Sequence, residues 1–96
     1  MEPANSDIIV SDVVGARAGR DQGEWFYVSD ADDTYLLLVN GKDRPLDKPK
    51  RKKRKHAQLV LRSETRVAAK LRSGDKVLNG ELRRDLAFLA REFASE

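Results

Sequence analysis

Apolar residues recur along this chain at two spacings, and the change from one to the other falls near Arg62. Before that point they form short runs, Val13-Val14, Trp25 to Val28, Tyr35 to Val39 and Ala57 to Leu61, separated by segments rich in Gly, Asp, Asn and Pro. Runs of this length bounded by turn residues predict β-strands. Ile8 to Val10 reads either as an extended lead-in or as the start of the first strand, and residues 1 to 7 read as a frayed tail. In Glu24 to Val28 the period of two puts Phe26 and Val28 on one face and Trp25 and Tyr27 on the other. Both faces are apolar, so something must cover the second one or bind to it.

The segments between the runs say how they connect. Ala18-Gly19-Arg20-Asp21-Gln22-Gly23 is a compact turn between the first two strands, which should run antiparallel. Gly23 sits where positive φ is needed, and Asp21 can hydrogen-bond within the loop. Asp30 to Thr34 reads as a loop, and the nearly continuous apolar run Tyr35 to Val39 as a strand buried on both faces. Asn40-Gly41 is the preferred type I′ hairpin pair and predicts a short returning strand over Lys42 to Leu46, at an edge because Pro45 cannot donate to a ladder. Residues 48–56 contain Pro49 and no apolar side chain, and are expected as a basic loop. Ala57 to Leu61 then closes the sheet with Leu59 and Leu61 facing in. Four or five short strands joined by tight turns predict a small barrel.

Beyond Arg62 the spacing becomes helical. Ser63 is the expected N-cap of a short helix with Glu64 in its first turn, an apolar stripe of Val67, Ala68 and Leu71, and Gly74 at its end. Asn79 is expected to cap a second helix, in which Leu82, Leu86, Leu89 and Phe93 recur at intervals of four, three and four. Each such side chain gains about 1.5–3 kcal/mol on full burial. The stripe therefore predicts docking on the sheet, over Trp25 or Tyr27.

Composition narrows the chemistry. Ninety-six residues support one domain, and a chain this size buries only about 60–65% of its unfolded surface, which leaves little room for a large catalytic cleft. There is no cysteine, so no disulfide framework, thiolate metal site or cysteine nucleophile is expected. The N-terminus lacks the basic and apolar regions of a secretory signal, and the longest apolar run is far below the roughly 20 residues of a membrane span. A cytoplasmic protein is the expectation. Net charge is +3, but Lys48 to His56 holds seven of the 19 Lys and Arg residues and no acid. What remains is 12 basic against 16 acidic residues. The basic character is local, which points to a site for a polyanion.

Candidate residues follow from that site. Lys48, Lys50, Arg51, Lys52, Lys53, Arg54 and Lys55 can grip phosphates, with His56 at the end of the tract, and Lys42 and Arg44 can extend the surface. Arg17 and Arg20 flank the glycine turn. Trp25, Tyr27 and Tyr35 have two readings, platforms for unpaired bases or filling of the core, with Trp25 the best stacking candidate. Enzyme signatures are weak. The Gly19 to Gly23 loop leads into a strand and offers no helix N-terminus to a phosphate. Asp30, Asp32 and Asp33 lack the downstream Gly and Glu of a calcium loop. His56 is the sole histidine and lies among cations, and Glu64, Glu81 and Glu92 suit helix-surface roles. No catalysis, cofactor, metal or small-molecule substrate is expected.

The apolar strand entering the glycine loop and the aromatic strand leaving it, through Val14, Gly19, Arg20, Asp21, Gly23 and Phe26, is similar to the KOW motif of ribosomal proteins and transcription elongation factors. Asn40 to Leu46 followed by Lys48-Pro49-Lys50-Arg51-Lys52-Lys53-Arg54-Lys55-His56 resembles bacterial KOW-domain RNA-binding proteins related to large-subunit ribosomal proteins of archaea and eukaryotes. The match spans roughly residues 10–62. It implies a mainly β fold, an SH3-like barrel over residues 8–62 with one or two helices over 63–96 packed on it as one unit. It further implies a non-catalytic RNA-binding protein acting on ribosomal RNA or the large ribosomal subunit, as an accessory translation factor or ribosomal protein. In that reading Arg17 and Arg20 touch RNA, while Gly19, Asp21 and Gly23 shape the turn. The alternative is a KOW module that binds a protein of the transcription or translation machinery, on the ribosome or elsewhere.

Overall fold

The computed structural model describes residues 7–16 and 23–94. Five strands, β1 (Asp12–Ala16), β2 (Trp25–Ala31), β3 (Tyr35–Val39), β4 (Lys50–Lys53) and β5 (Ala57–Arg62), form one sheet in the order β4-β3-β2-β1-β5, and every neighbouring pair is antiparallel. Two helices follow, α1 (Arg66–Ser73) and α2 (Asn79–Ala94). They hold nearly as many residues as the strands, so the chain is less exclusively β than its first 62 residues imply.

The alternation along β2 organises the interior. Val14 pairs with Phe26 and Val13 with Tyr27. Adjacent residues point to opposite faces. Phe26 and Val28 join Val14, Leu36, Leu38 and Ile8 in a core on one face of the sheet, while Tyr27, Val13 and Val39 meet the helices on the other face. The helices cover the face expected to need cover, through Val67, Ala68, Leu82, Leu86 and Leu89, with Trp25 packed at the margin. Leu59 packs against the first core and Leu61 against the second, although they lie two apart on β5. A register shift explains it. Val14 faces Leu59 and Val13 faces Leu61, so Val60 is an extra residue that bends the strand.

Three expectations for the middle of the chain are corrected. Lys50–Lys53 is not loop but an edge strand, with Leu36 opposite Lys52 and Leu38 opposite Lys50. β3 is apolar and needs an outer neighbour, and the aliphatic stems of Lys50 and Lys52, on the same face as Leu36 and Leu38, are half-buried there. Arg54–His56 is a single 3-10 turn leading into β5. Lys42 to Leu46 forms no strand. Asn40 instead builds a tight loop, its Oδ1 accepting from the amides of Lys42 at 2.9 Å and Arg44 at 3.0 Å, while the Arg44 carbonyl accepts from the amides of Asn40 and Gly41. Gly41 has φ 76°, and a Cβ there would lie 2.2 Å from the Asn79 carbonyl oxygen. The Asn-Gly pair serves close approach of α2, not a hairpin. The loop after β2 also starts later than expected, because Asp30 and Ala31 belong to that strand.

At the helices, Thr65 rather than Ser63 is the N-cap of α1, accepting from the Ala68 amide at 3.2 Å. Gly74 ends α1 in the left-handed conformation, as expected. Asn79 does not cap α2. Its Oδ1 accepts from the Leu46 amide at 2.8 Å, and the Glu81 carboxylate instead reaches back to the Leu78 amide at 2.9 Å. Phe93, the last residue of the expected stripe, is 52% exposed because α2 continues a full turn past Leu89, its last buried leucine. No helix among the described residues is long and apolar enough to cross a membrane.

Candidate nucleic-acid interface

Pairing with β3 places the cations of the tract at defined positions. Arg51 and Lys53 lie on the face of Leu37 and Tyr35, and both are exposed, as are Lys48, Lys55 and His56. The Arg51 guanidinium lies 3.9 Å from the centroid of the Tyr35 ring, a cation–π stack that holds its planar donors in place. Among the described residues, Lys48, Arg51, Lys52, Lys53 and Lys55 form no salt bridge. Of these, Arg51 still acts within the chain, where its charge helps to lower the Asp32 carboxyl.

Arg54 is different. Its Nε donates to the Asp32 carbonyl at 2.7 Å and its Nη1 to the Ile8 carbonyl at 2.9 Å, and its amide donates to the Thr34 carbonyl. It ties the 3-10 turn to the β2–β3 turn and to the segment before β1. Asp32 shapes that turn, its Oδ1 accepting from the amides of Tyr35 at 2.7 Å and Thr34 at 2.9 Å. These two bonds, Tyr35 first, hold its carboxyl below the usual range. Arg54, expected among the RNA contacts, is a strut between these segments.

A second group of candidates meets elsewhere. Trp25, Gly23 and Lys42 line an open groove of about 830 Å3 between the start of β2, the Asn40 loop and α2, whose Leu86, Ala87 and Ala90 form its apolar wall. Gly23 has φ 89°, consistent with its expected turn role. Glu24, Asp43 and Arg83 complete the rim. Arg83 donates from Nη1 to the Gly41 carbonyl at 2.6 Å, across 42 residues of sequence. No periodicity singles out Arg83, because its place beside Lys42 arises only when α2 docks. Arg44 is half-buried within the loop, which withdraws it from the exposed surface.

Tyr27 and Tyr35 are not open stacking platforms. Tyr35 lies under Arg51. Tyr27 is fully buried, its hydroxyl donating to Asp85 and lying 2.9 Å from Ser63 Oγ and 3.2 Å from Thr65 Oγ1. Burial, reinforced by the Asp85 carboxylate, pushes that phenol up to about 12. Trp25, half-buried in the groove, keeps both of its readings. Arg17, Gly19, Arg20 and Asp21 lie outside the described residues. In comparisons with known proteins, no protein-family model and no curated protein matches this chain.

Proposed function

We propose that this chain is a non-catalytic RNA-binding protein of the KOW class, acting in the cytoplasm on ribosomal RNA or the large ribosomal subunit as an accessory factor or ribosomal protein. The observation that carries the proposal is the set of exposed cations on β4 and its flanks, held on an ordered edge strand, of which Lys48, Lys53 and Lys55 form no salt bridge among the described residues. A backbone that fixes the spacing of cations presents them to phosphates at a low entropic cost, and such contacts confer affinity and register. The strand order supports the SH3-like barrel reading. β4 and β5 are opposite edges of the sheet, yet three residues, Arg54–His56, join them. In a flat sheet those edges would lie about 19 Å apart, whereas the four steps from Lys53 to Ala57 reach at most about 14 Å, so the sheet curls.

The test is binding to purified large ribosomal subunits and to a generic single-stranded RNA across a salt series. The native chain is compared with a variant carrying Gln at Lys48, Lys52, Lys53 and Lys55, which spares the Arg54 strut. Each phosphate contact contributes about 0.7 to the slope of log K against log salt on single strands, so the variant's slope is shallower by up to about 3. Tighter binding to subunits than to generic RNA supports the ribosome; weak binding to both, unchanged in the variant, refutes the RNA reading. The protein-interaction alternative rests on α2, where Phe88 is 44% and Phe93 52% exposed. Capture of subunits that resists high salt and is lost on substituting those two residues favours it, because apolar contacts are little screened.

A further inference from the structure

The groove beside Trp25 differs in chemistry from the basic strand. β4 offers positive charge alone, whereas the groove combines one aromatic plane with both signs of charge. Among the described residues its hydrogen-bonding capacity is only partly used. The amide oxygen of Asn40 already accepts two backbone amides, and its Nδ2 donates to Asp43 Oδ1 at 2.9 Å. The Gly41 carbonyl takes one Arg83 donor. Among the described residues the second carboxylate oxygen of Asp43 takes no donor, and the exposed Glu24 lines the same groove with its own carboxylate. Lys42 and the remaining donors of Arg83 supply positive charge at the same rim.

From this combination we propose that the groove is a slot for a single unpaired guanine nucleotide of the bound RNA. The base stacks on Trp25, the two oxygens of the Glu24 carboxylate accept from its Watson–Crick edge with the second Asp43 oxygen on the same rim, and Lys42 and Arg83 hold the flanking phosphate. Guanine is favoured because its adjacent N1–H and N2–H donors match the two oxygens of a carboxylate, an arrangement adenine lacks. Stacking on an aromatic side chain is insensitive to base identity, and the carboxylates supply the discrimination. The slot deepens the RNA-binding reading and rests on it: β4 supplies affinity, and the groove reads one base.

Trp25 is the sole tryptophan, so its emission reports on the groove directly. The full chain is titrated with fluorescently end-labelled UUGUU and UUAUU, following label anisotropy for overall binding and Trp25 emission for the groove. The slot predicts quenching of Trp25 by UUGUU and about tenfold tighter binding of it than of UUAUU, the size of one good base contact. The double variant Glu24→Gln/Asp43→Asn should lose that preference, binding both oligonucleotides alike while retaining the native salt slope. Its residue 43 keeps a side-chain oxygen for Asn40, so the loop is preserved, and an unchanged thermal midpoint checks this. Trp25→Phe, which retains a ring against the core, should weaken UUGUU binding without abolishing the preference. If anisotropy reports binding while Trp25 emission stays constant, or if UUGUU and UUAUU bind the native chain alike, the slot is overturned and the β4 reading stands. If anisotropy reports no binding of either oligonucleotide at low salt, both fall.

Discussion

The seam between the helices and the sheet, and the edge strand β4, use charge in opposite ways. In the seam polar groups meet partners inside the chain, Tyr27 with Asp85 and Thr65 with Asp85 at 2.8 Å, and between the two helices Lys70 meets Glu81 at 2.8 Å. A buried polar group left without a partner costs about 1–3 kcal/mol, so a seam built on an apolar stripe has to satisfy every hydroxyl and carboxylate it encloses. On β4 Arg51 and Lys53 are exposed while Lys50 and Lys52 are half-buried, and Lys52 and Lys53 form no salt bridge among the described residues. Exposed charge costs folding little. It can be carried where nothing in the fold requires it, so charge in the seam bears on stability far more than charge on β4.

That contrast breaks or sharpens in measurable ways. The largest effect belongs to the seam's apolar stripe. Leu82 is fully buried, and Leu82→Ala should lower unfolding stability by about 2–5 kcal/mol in chemical denaturation. A loss below 1 kcal/mol would mean the helices are only loosely attached. Next is Tyr27→Phe, which deprives Asp85 of a donor and should cost about 1.5–3 kcal/mol, the range for a hydrogen bond to a charged group. This variant also has a pH signature. Because the folded phenol titrates at about 12, above its ordinary value of 10.0, the folded state holds a proton that the unfolded state releases between those values, and stability falls as pH rises through that window. Tyr27→Phe should remove that alkaline contribution, so an unchanged alkaline limb would disprove the assignment. The smallest effect belongs to β4. Gln at Lys48, Lys52, Lys53 and Lys55 should change stability by no more than about 0.5 kcal/mol per site, while salt-dependent RNA binding changes strongly. A large destabilisation instead would make those cations part of the fold and erase the contrast.

Much of the fold was legible because its signals are local. The alternation in Trp25 to Val28 identified two buried faces, and the four-three spacing of Leu82, Leu86 and Leu89 identified the layer that covers one of them. The basic tract was legible as a candidate site from composition alone. Its backbone was not. Lysine has little preference for strands, and Lys50–Lys53 becomes one because β3 needs a partner on that side. The Asn40-Gly41 pair was misread for the same kind of reason: turn chemistry identifies a glycine with positive φ, but only docking of α2 shows why no larger residue fits. Ser63 lost the cap to Thr65 while standing within reach of the Tyr27 hydroxyl, 36 residues earlier in the chain.

The sequence by itself determined where apolar side chains alternate, where they turn helical and where positive charge collects, since each depends on neighbours a few residues apart. Only the tertiary structure decided that β4 is an edge, that Arg54 is a strut, and that Arg83 meets Lys42 beside Trp25. Those outcomes depend on contacts between distant segments, whose geometry follows from how the two layers pack and not from the order of residues in either one.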